Sequence, residues 1–194
     1  SPASSQLLAA ALLDVARLHL RFGRPTKAEP FYREALQVQE ASNAVGIELG
    51  ITLNQLATAC ASTGRTDEAL GLVERSIQLR RDSMGPDHPQ VATGLHGLAA
   101  LQMNLELYDE ADAALETAWR ILARSLGPHN PHTIQFVMER GMVRLAQGRA
   151  SQGLEHLRKA ESLAASALPP DHPLRQQIDA TIKSGLEVQR RLGS

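Results

Sequence analysis

Aromatic residues are scarce in this chain, where one Trp, two Tyr and three Phe make up 3% of 194 residues. Apolar residues still account for 43%, with Ala and Leu carrying much of that content. Because small and unbranched side chains favour helices while β-branched and aromatic ones favour strands, this composition predicts an all-α fold. The single cysteine, Cys60, excludes an internal disulfide framework. It lies in an apolar helical stretch, so we interpret it as a small buried hydrophobic residue.

An excess of one charge is also missing, since 20 basic and 21 acidic residues give a net charge of −1. A nucleic-acid-binding protein would carry a basic excess, so we expect no nucleic-acid partner. No apolar run approaches the roughly 18 residues that span a bilayer, and the short run Leu7–Leu13 has no basic segment before it. We therefore expect no membrane partner, no signal peptide and a cytoplasmic location. The chain opens with Ser1 and ends in Gly193-Ser194, which resembles a cloning remnant, so we expect a segment excised from a longer protein.

Two sequence markers repeat with a period near 42 residues. The first reads GRPTKA at Gly23–Ala28, GRTDEA at Gly64–Ala69, ELYDEA at Glu106–Ala111 and GRASQG at Gly148–Gly153, with offsets of 41, 42 and 42 residues. The second reads GPDHP at Gly85–Pro89, GPHNP at Gly127–Pro131 and PPDHP at Pro169–Pro173, each 42 residues after the last. Two markers that share one period indicate an array of internal repeats.

Each period contains the pattern of two helices. Leu53, Leu56, Ala57 and Cys60 fall at i, i+3, i+4 and i+7, which is one apolar stripe of a helix. The glycine of the first marker supplies the positive φ that ends the first helix. Asp67 and Asp109 can cap the second helix or stabilise its start by their charge. The second marker ends that helix, and its proline suits the first turn of the next one.

We therefore predict a single repeat array over residues 1–194. Its parts are repeat 1 (6–44), repeat 2 (45–88), repeat 3 (89–130), repeat 4 (131–172) and a capping helix (173–192). Ala28, Ala69 and Ala111 are predicted at the close crossing of the two helices. Gly153 takes this place in repeat 4, where Arg140 and Arg144 occupy normally apolar positions, so we expect an irregular face there.

The segment Thr52–Pro89 resembles the 42-residue tetratricopeptide repeat of kinesin light chains and their relatives. Its motif TLNQLA…GRTDEA…GPDHP carries the resemblance, which extends over about Gln6–Pro173. The resemblance implies a right-handed α-solenoid of four tetratricopeptide-type helix pairs plus a C-terminal capping helix. It also implies a concave groove, lined by the first helices, that holds an extended peptide or a helix. The Asn-Asn pair of the family corresponds to Asn54-Gln55 in repeat 2, whereas the other repeats depart from it.

We therefore hypothesise a protein–protein interaction scaffold that binds a peptide or helical segment of a partner. The predicted groove residues are Leu13, Arg17, Arg21, Asn54, Gln55, Thr58, Ser62, His96, Met103, Asn104, Met138 and Met142. Amides can bond a peptide backbone as donor and acceptor, methionines adapt to varied apolar partners, and the arginines suit a carboxylate. Two alternatives stay open: a structural module that self-associates through an exposed edge of the stack, and a regulatory or sensor segment of a larger protein.

Catalytic and metal sites are not favoured. His88 and His172 occupy the same marker position as Asn130, so we interpret all three as capping or loop residues. His129 and His132 have a plausible ligand spacing but no Cys nearby. There is no phosphate-binding glycine loop, no G-x-S-x-G and no H-E-x-x-H. We expect no enzyme activity, no cofactor and no metal.

Overall fold

The computed structural model describes residues 2–42 and 46–192, and all regular structure within these ranges is α-helical. The helices are α1 (Pro2–Arg21), α2 (Pro25–Ala41), α3 (Gly46–Ser62), α4 (Thr66–Met84), α5 (Pro89–Asn104), α6 (Tyr108–Ser125), α7 (Pro131–Ala146), α8 (Ala150–Ala167) and α9 (Pro173–Leu192). In chain order they make four helix–turn–helix units followed by a terminal helix, which confirms the predicted fold class. None of the described helices combines the length and apolarity needed to cross a membrane. Ser1, part of the first junction (43–45) and Gly193-Ser194 lie outside the described residues.

The chain divides into two compact units, Ser1–Leu101 and Gln102–Ser194. In the first unit, α1 packs against α2, α2 against α3, and α3 against α4. In the second unit, α6 packs against α7 and α7 against α8, while α9 contacts both α8 and α7. The predicted single array over residues 1–194, with its repeat boundaries, stays a prediction.

A residue in the left-handed conformation follows the first helix of every pair. Gly23, Gly64 and Gly148 have φ of 65°, 81° and 73°, as the sequence predicts. In the third pair Glu106 takes this place with φ of 59°. A residue with a Cβ adopts this conformation at a cost of roughly 1–2 kcal/mol, so the turn itself, rather than the residue type, is what the four pairs share.

The second marker caps the helix that follows it. Asn130 accepts the backbone N–H two residues on through Oδ1 at 3.0 Å. His88 and His172 accept the equivalent N–H through Nδ1 at 3.2 Å and 3.1 Å. These bonds satisfy donors that a helix start leaves unpaired. The interpretation of the three residues as capping residues is confirmed.

Asp67 and Asp109 act differently from a cap. The residues at the N-cap positions of α4 and α6 are Arg65 and Leu107, and neither makes a side-chain capping bond. Both aspartates lie within the first turn of their helix, where negative charge is favourable beside the positive end of the helix dipole. Of the two predicted roles, the charge role remains and the capping role is wrong.

Small residues on the second helices are fully enclosed. Ala28, Ala69 and Ala111 have no exposed surface. In the fourth pair, a Cβ on Gly153 would come within 2.9 Å of the carbonyl oxygen of Gly141. The backbones of α7 and α8 therefore approach more closely than any residue with a side chain would permit, which explains the departure from alanine in this pair.

Cys60 is completely buried on α3, which confirms its interpretation as a core residue. Burial raises the pKa of its thiol, and the negative charge of Glu68 acts in the same direction. The side chain is thus held as a neutral thiol.

Arg80 is the largest side chain that is almost fully enclosed, with 2% of its surface exposed. Its Nη1 donates to the carbonyl oxygen of Gln90 at 2.9 Å, and its Nε has no partner among the described residues. No carboxylate among the described residues pairs with the Arg80 guanidinium, and burial lowers its pKa. The equivalent residue one repeat later is Leu122, also buried. The position therefore suits an apolar side chain.

We expect Arg80→Leu to raise the free energy of unfolding by about 1–3 kcal/mol, because it removes a buried charge that no acid compensates. Chemical denaturation of parent and variant measures the change. Arg81→Leu, the same substitution at the next and more exposed position, should stay within about 0.5 kcal/mol of the parent. A loss of stability in Arg80→Leu would contradict the prediction.

The two arginines of α7 pair with carboxylates of α6. Nε of Arg140 donates to Oδ1 of Asp112 at 2.8 Å, and Arg144 donates to Oδ2 of the same carboxylate. Arg140 also lies 2.6 Å from a carboxylate oxygen of Glu116. Asp112 itself is only 6% exposed. Charged residues at apolar positions are thus compensated by a buried carboxylate from the neighbouring helix.

Candidate binding groove

An open cleft of about 670 Å³ lies between α1, α2 and α3 in the first unit. Its lining includes Leu7, Leu13 and Arg17 of α1, Gln39 of α2, and Glu48 and Ile51 of α3. Leu7 is 73% exposed and Ile51 38% exposed. Apolar side chains accessible from solvent in a concave site are typical of ligand-binding clefts.

Two polar groups of the cleft have bonding capacity left. Gln39 is 6% exposed, and its Oε1 has no hydrogen-bond partner among the described residues. Arg17 pairs with Asp14 at 3.2 Å, but both side chains remain largely exposed. An exposed pair of this kind contributes little to stability, so the guanidinium can exchange Asp14 for a carboxylate of a ligand. The repeat pattern does not indicate a role for Gln39, because its repeat equivalents, Arg80 and Leu122, share no chemistry with it.

The predicted residues of α3 follow one another along the helix. Asn54 and Gln55 are half-buried, and the side-chain oxygen of each lacks a partner among the described residues. Thr58 and Ser62 are exposed, but their hydroxyls donate to the helix carbonyls of Asn54 and Thr58 at 3.0 Å and 2.8 Å. The amides therefore keep unused acceptors, whereas the hydroxyl donors are already engaged.

The first unit brings only some of the predicted residues into the cleft. Leu13 and Arg17 line it, although Leu13 is 8% exposed. Arg21 is exposed in the last turn of α1, and His96 is half-buried on α5. Neither these two residues nor the four predicted residues of α3 line the cleft.

In the second unit, the prediction that Met138 lies in the groove is wrong. Met138 is 1% exposed and belongs to a core cluster with Leu154, Leu157 and Ile178. Because α9 packs against both α7 and α8, it covers the face on which Met138 lies. The other three predicted residues reach the surface: Asn104 is exposed, Met142 is 41% exposed and Met103 is half-buried.

Across residues 2–42 and 46–192, no group of three or more His, Cys, Asp or Glu side chains is arranged to hold a metal ion. Nδ1 of His129, half of the His129/His132 pair, lies 3.1 Å from the hydroxyl of Ser166. That contact joins the loop before α7 to the last turn of α8.

Comparisons with known proteins follow the repeat pattern. Models of the tetratricopeptide repeat match residues 8–43 and 48–118. Human tetratricopeptide repeat protein 19, mitochondrial, is 32% identical over 60% of this chain and 30% of its own length. Protein KINESIN LIGHT CHAIN-RELATED 3 of Arabidopsis thaliana is 24% identical over 87% of this chain and 27% of its own. The chain therefore spans less than a third of these relatives.

Among solved structures, the nearly identical TPR-like repeats of a putative kinesin light chain of Podosopora anserina superpose with a TM-score of 0.82. The match covers 98% of this chain and 89% of that one, at 20% sequence identity. Such a likeness shows the fold alone. The predicted resemblance to kinesin light chain repeats is confirmed.

Proposed function

Because this chain belongs to the tetratricopeptide repeat family, whose members are in general scaffolds for protein–protein interaction, we propose that it holds a peptide or helical segment of a partner protein. The proposed site is the cleft between α1, α2 and α3. Proteins of this repeat type are generally not enzymes, and the proposal includes no reaction.

The observation that supports the proposal most is the combination of accessible apolar walls with an unpaired buried amide. Leu7 and Ile51 offer apolar surface from two different helices. Gln39 offers an acceptor that nothing in the described chain uses. A buried acceptor without a partner costs about 1–3 kcal/mol, and a backbone N–H of a ligand would remove that cost.

These groups define the chemistry of the ligand. An apolar side chain would lie between Leu7 and Ile51, with a backbone N–H directed at Gln39. A carboxylate would take the place of Asp14 on Arg17. Asn54 and Gln55 extend the proposed site along α3 and can bond further backbone groups. A short peptide held in this way would bind with a micromolar dissociation constant, equivalent to about 8 kcal/mol.

The test is selection of peptides from a random display library on the intact chain, followed by calorimetric titration of the selected peptides. We expect micromolar binders, and we expect Ile51→Glu to weaken them at least about tenfold because it places a charge against the apolar wall. Arg17→Ala should selectively weaken the acidic peptides.

The matched control is Leu126→Glu, which introduces the same charge at an exposed leucine of the second unit, outside the cleft. It should bind the selected peptides like the parent. Selected peptides that bind equally to Ile51→Glu and the parent, or a selection that yields no binder, would sink the proposed site.

A further inference from the structure

Helix α1 carries a second apolar surface, separate from the cleft, which we call the α1 stripe: Leu8, Ala11, Val15, Leu18 and Phe22. Their spacing of three and four residues places them on one face of the helix. The four larger side chains are 48%, 40%, 51% and 66% exposed, respectively. The guanidinium of Arg24 lies over the Phe22 ring, 5.9 Å from its centre, at the C-terminal end of the stripe. Between Leu8 and Leu18 no charged residue belongs to the stripe. A soluble surface rarely displays an ordered apolar row of this length without a binding role.

The same repeat positions are covered in α3. Leu49, Leu56 and Ala59 lie 41 residues after Leu8, Val15 and Leu18, and they are 9%, 0% and 0% exposed. Helix α3 packs against α2, the second helix of the preceding pair. The stripe position of this repeat is therefore an interface for a helix.

Helix α7 shows which neighbour that interface faces. Thr133 and Val143, at the positions of Leu8 and Leu18, are 0% and 1% exposed. Arg140, at the position of Val15, pairs with Asp112 on the preceding helix α6. Across the repeats this face thus receives a neighbouring helix, and only in α1 is it left open among the described residues.

We propose that the α1 stripe is the interface of a homodimer in which the α1 helices of two copies pair antiparallel. In this arrangement Leu8 lies opposite Leu18 of the second copy, and Ala11 lies opposite Val15. The stripe is thus complementary to itself, as a twofold interface requires. Ala11 at the centre allows the two helices to approach closely, and no charge is buried in the seam.

A head-to-tail contact with α9 of a second copy is less favourable for the stripe than pairing with α1. The outer face of α9 exposes Gln177, Lys183, Glu187 and Arg190, so a head-to-tail contact would desolvate charges against apolar side chains. The net charge of −1 also leaves two copies without strong mutual repulsion. The stripe is about 21 Å long, at 1.5 Å per residue, so it buries less than a standard interface of about 1,600 Å². The dimer is accordingly weak and depends on concentration.

Sedimentation velocity on the intact chain over about 1–500 µM tests the proposal. The mass should rise from 21.0 kDa toward twice that value within this range. Leu18→Glu should stay monomeric throughout, with its helical content unchanged, because the side chain is exposed in the monomer. Leu126→Glu, the same change on an exposed leucine outside the stripe, should dimerise like the parent.

A parent that stays monomeric up to 500 µM would overturn the proposal, even if the stripe then bound an unrelated amphipathic helix. So would a Leu18→Glu variant that dimerises like the parent, or a Leu126→Glu variant that does not. The outcome is independent of the peptide cleft, since Ile51→Glu alters the cleft and leaves the α1 stripe intact.

Discussion

An arginine in place of Ala69 is expected to unfold the α3–α4 region of the first unit and to lower its melting temperature by roughly 10 °C or more. Ala69 has no exposed surface on α4, and α4 packs directly on α3. Overpacking of a filled core costs about 1–3 kcal/mol, and a buried charge without a partner adds several more. Thermal unfolding followed by circular dichroism and calorimetry measures the effect.

Gly71→Arg provides the matched control, two residues further along the same helix. Gly71 is exposed, and a Cβ added there meets no atom within 4 Å. Arginine also favours the helix over glycine by roughly 0.8–1 kcal/mol, so this variant should be as stable as the parent or slightly more so. An unchanged melting temperature for Ala69→Arg would show that the repeat register is wrong.

Removal of the Asp112 carboxylate is expected to have the second largest effect, a loss of about 2–4 kcal/mol in Asp112→Ala. Breaking a buried ion pair from one side typically costs about 3–5 kcal/mol, because the remaining charge stays buried without a partner. Here Arg140 and Arg144 keep 15% and 18% of their side chains exposed, so part of that cost is relieved by water. Chemical denaturation at neutral pH measures the loss.

The difference in stability between the parent and Asp112→Ala also depends on pH, and the direction of this dependence follows from the pKa of Asp112. Burial raises the pKa of the Asp112 carboxyl, but the hydrogen bond and charge of Arg140 and the charge of Arg144 outweigh it and hold the pKa below its ordinary value. At pH values between the folded and the unfolded pKa, the unfolded chain therefore binds more protons than the folded chain. The contribution of Asp112 is fully present above the unfolded pKa of about 3.9 and is lost as pH falls through the folded value. The stability difference between parent and Asp112→Ala should accordingly shrink below about pH 4.

Asp109→Ala is the control for both measurements. Its side chain is 73% exposed and lies 3.6 Å from Arg144, so we expect a change within about 0.5 kcal/mol. A similar loss in both aspartate variants would mean that general surface charge, rather than the buried carboxylate, stabilises α7 on α6.

Much of the fold was predictable because its determinants are local in sequence. The turn residues with positive φ, three of them glycines, the capping residues His88, Asn130 and His172, and the apolar stripes recur every 41 or 42 residues. A turn that needs positive φ and a helix start that needs an acceptor act over two to four residues. Each repeat therefore predicts the same turn and helix start independently.

Partners from distant parts of the sequence were not predictable in this way. Asp112 lies 28 residues before Arg140, and nothing in the local pattern of α7 indicates that its arginines find a carboxylate on α6. The prediction that Met138 lines the groove was wrong for a related reason. The repeat register places it on the groove face, but α9, which follows only the last pair, covers that face.

The candidate site was predicted in outline but not in its details. Leu13 and Arg17 line the cleft as expected, whereas Gln39 comes from a second helix, which the groove prediction did not consider. Periodicity likewise identifies the apolar residues of the α1 stripe. It does not tell whether a neighbouring helix covers them, since Leu8 and Leu49 occupy the same repeat position with very different exposure.

The buried thiol of Cys60 can serve as a natural probe of how often the core around α3 opens. Only the thiolate attacks alkylating reagents, and the side chain is completely buried on α3 with a raised pKa. Alkylation therefore requires the core around α3 to open, and its rate reports how often this happens without any introduced label. Because the chain contains a single cysteine, any cysteine added at the surface can be modified selectively while the native core thiol stays protected.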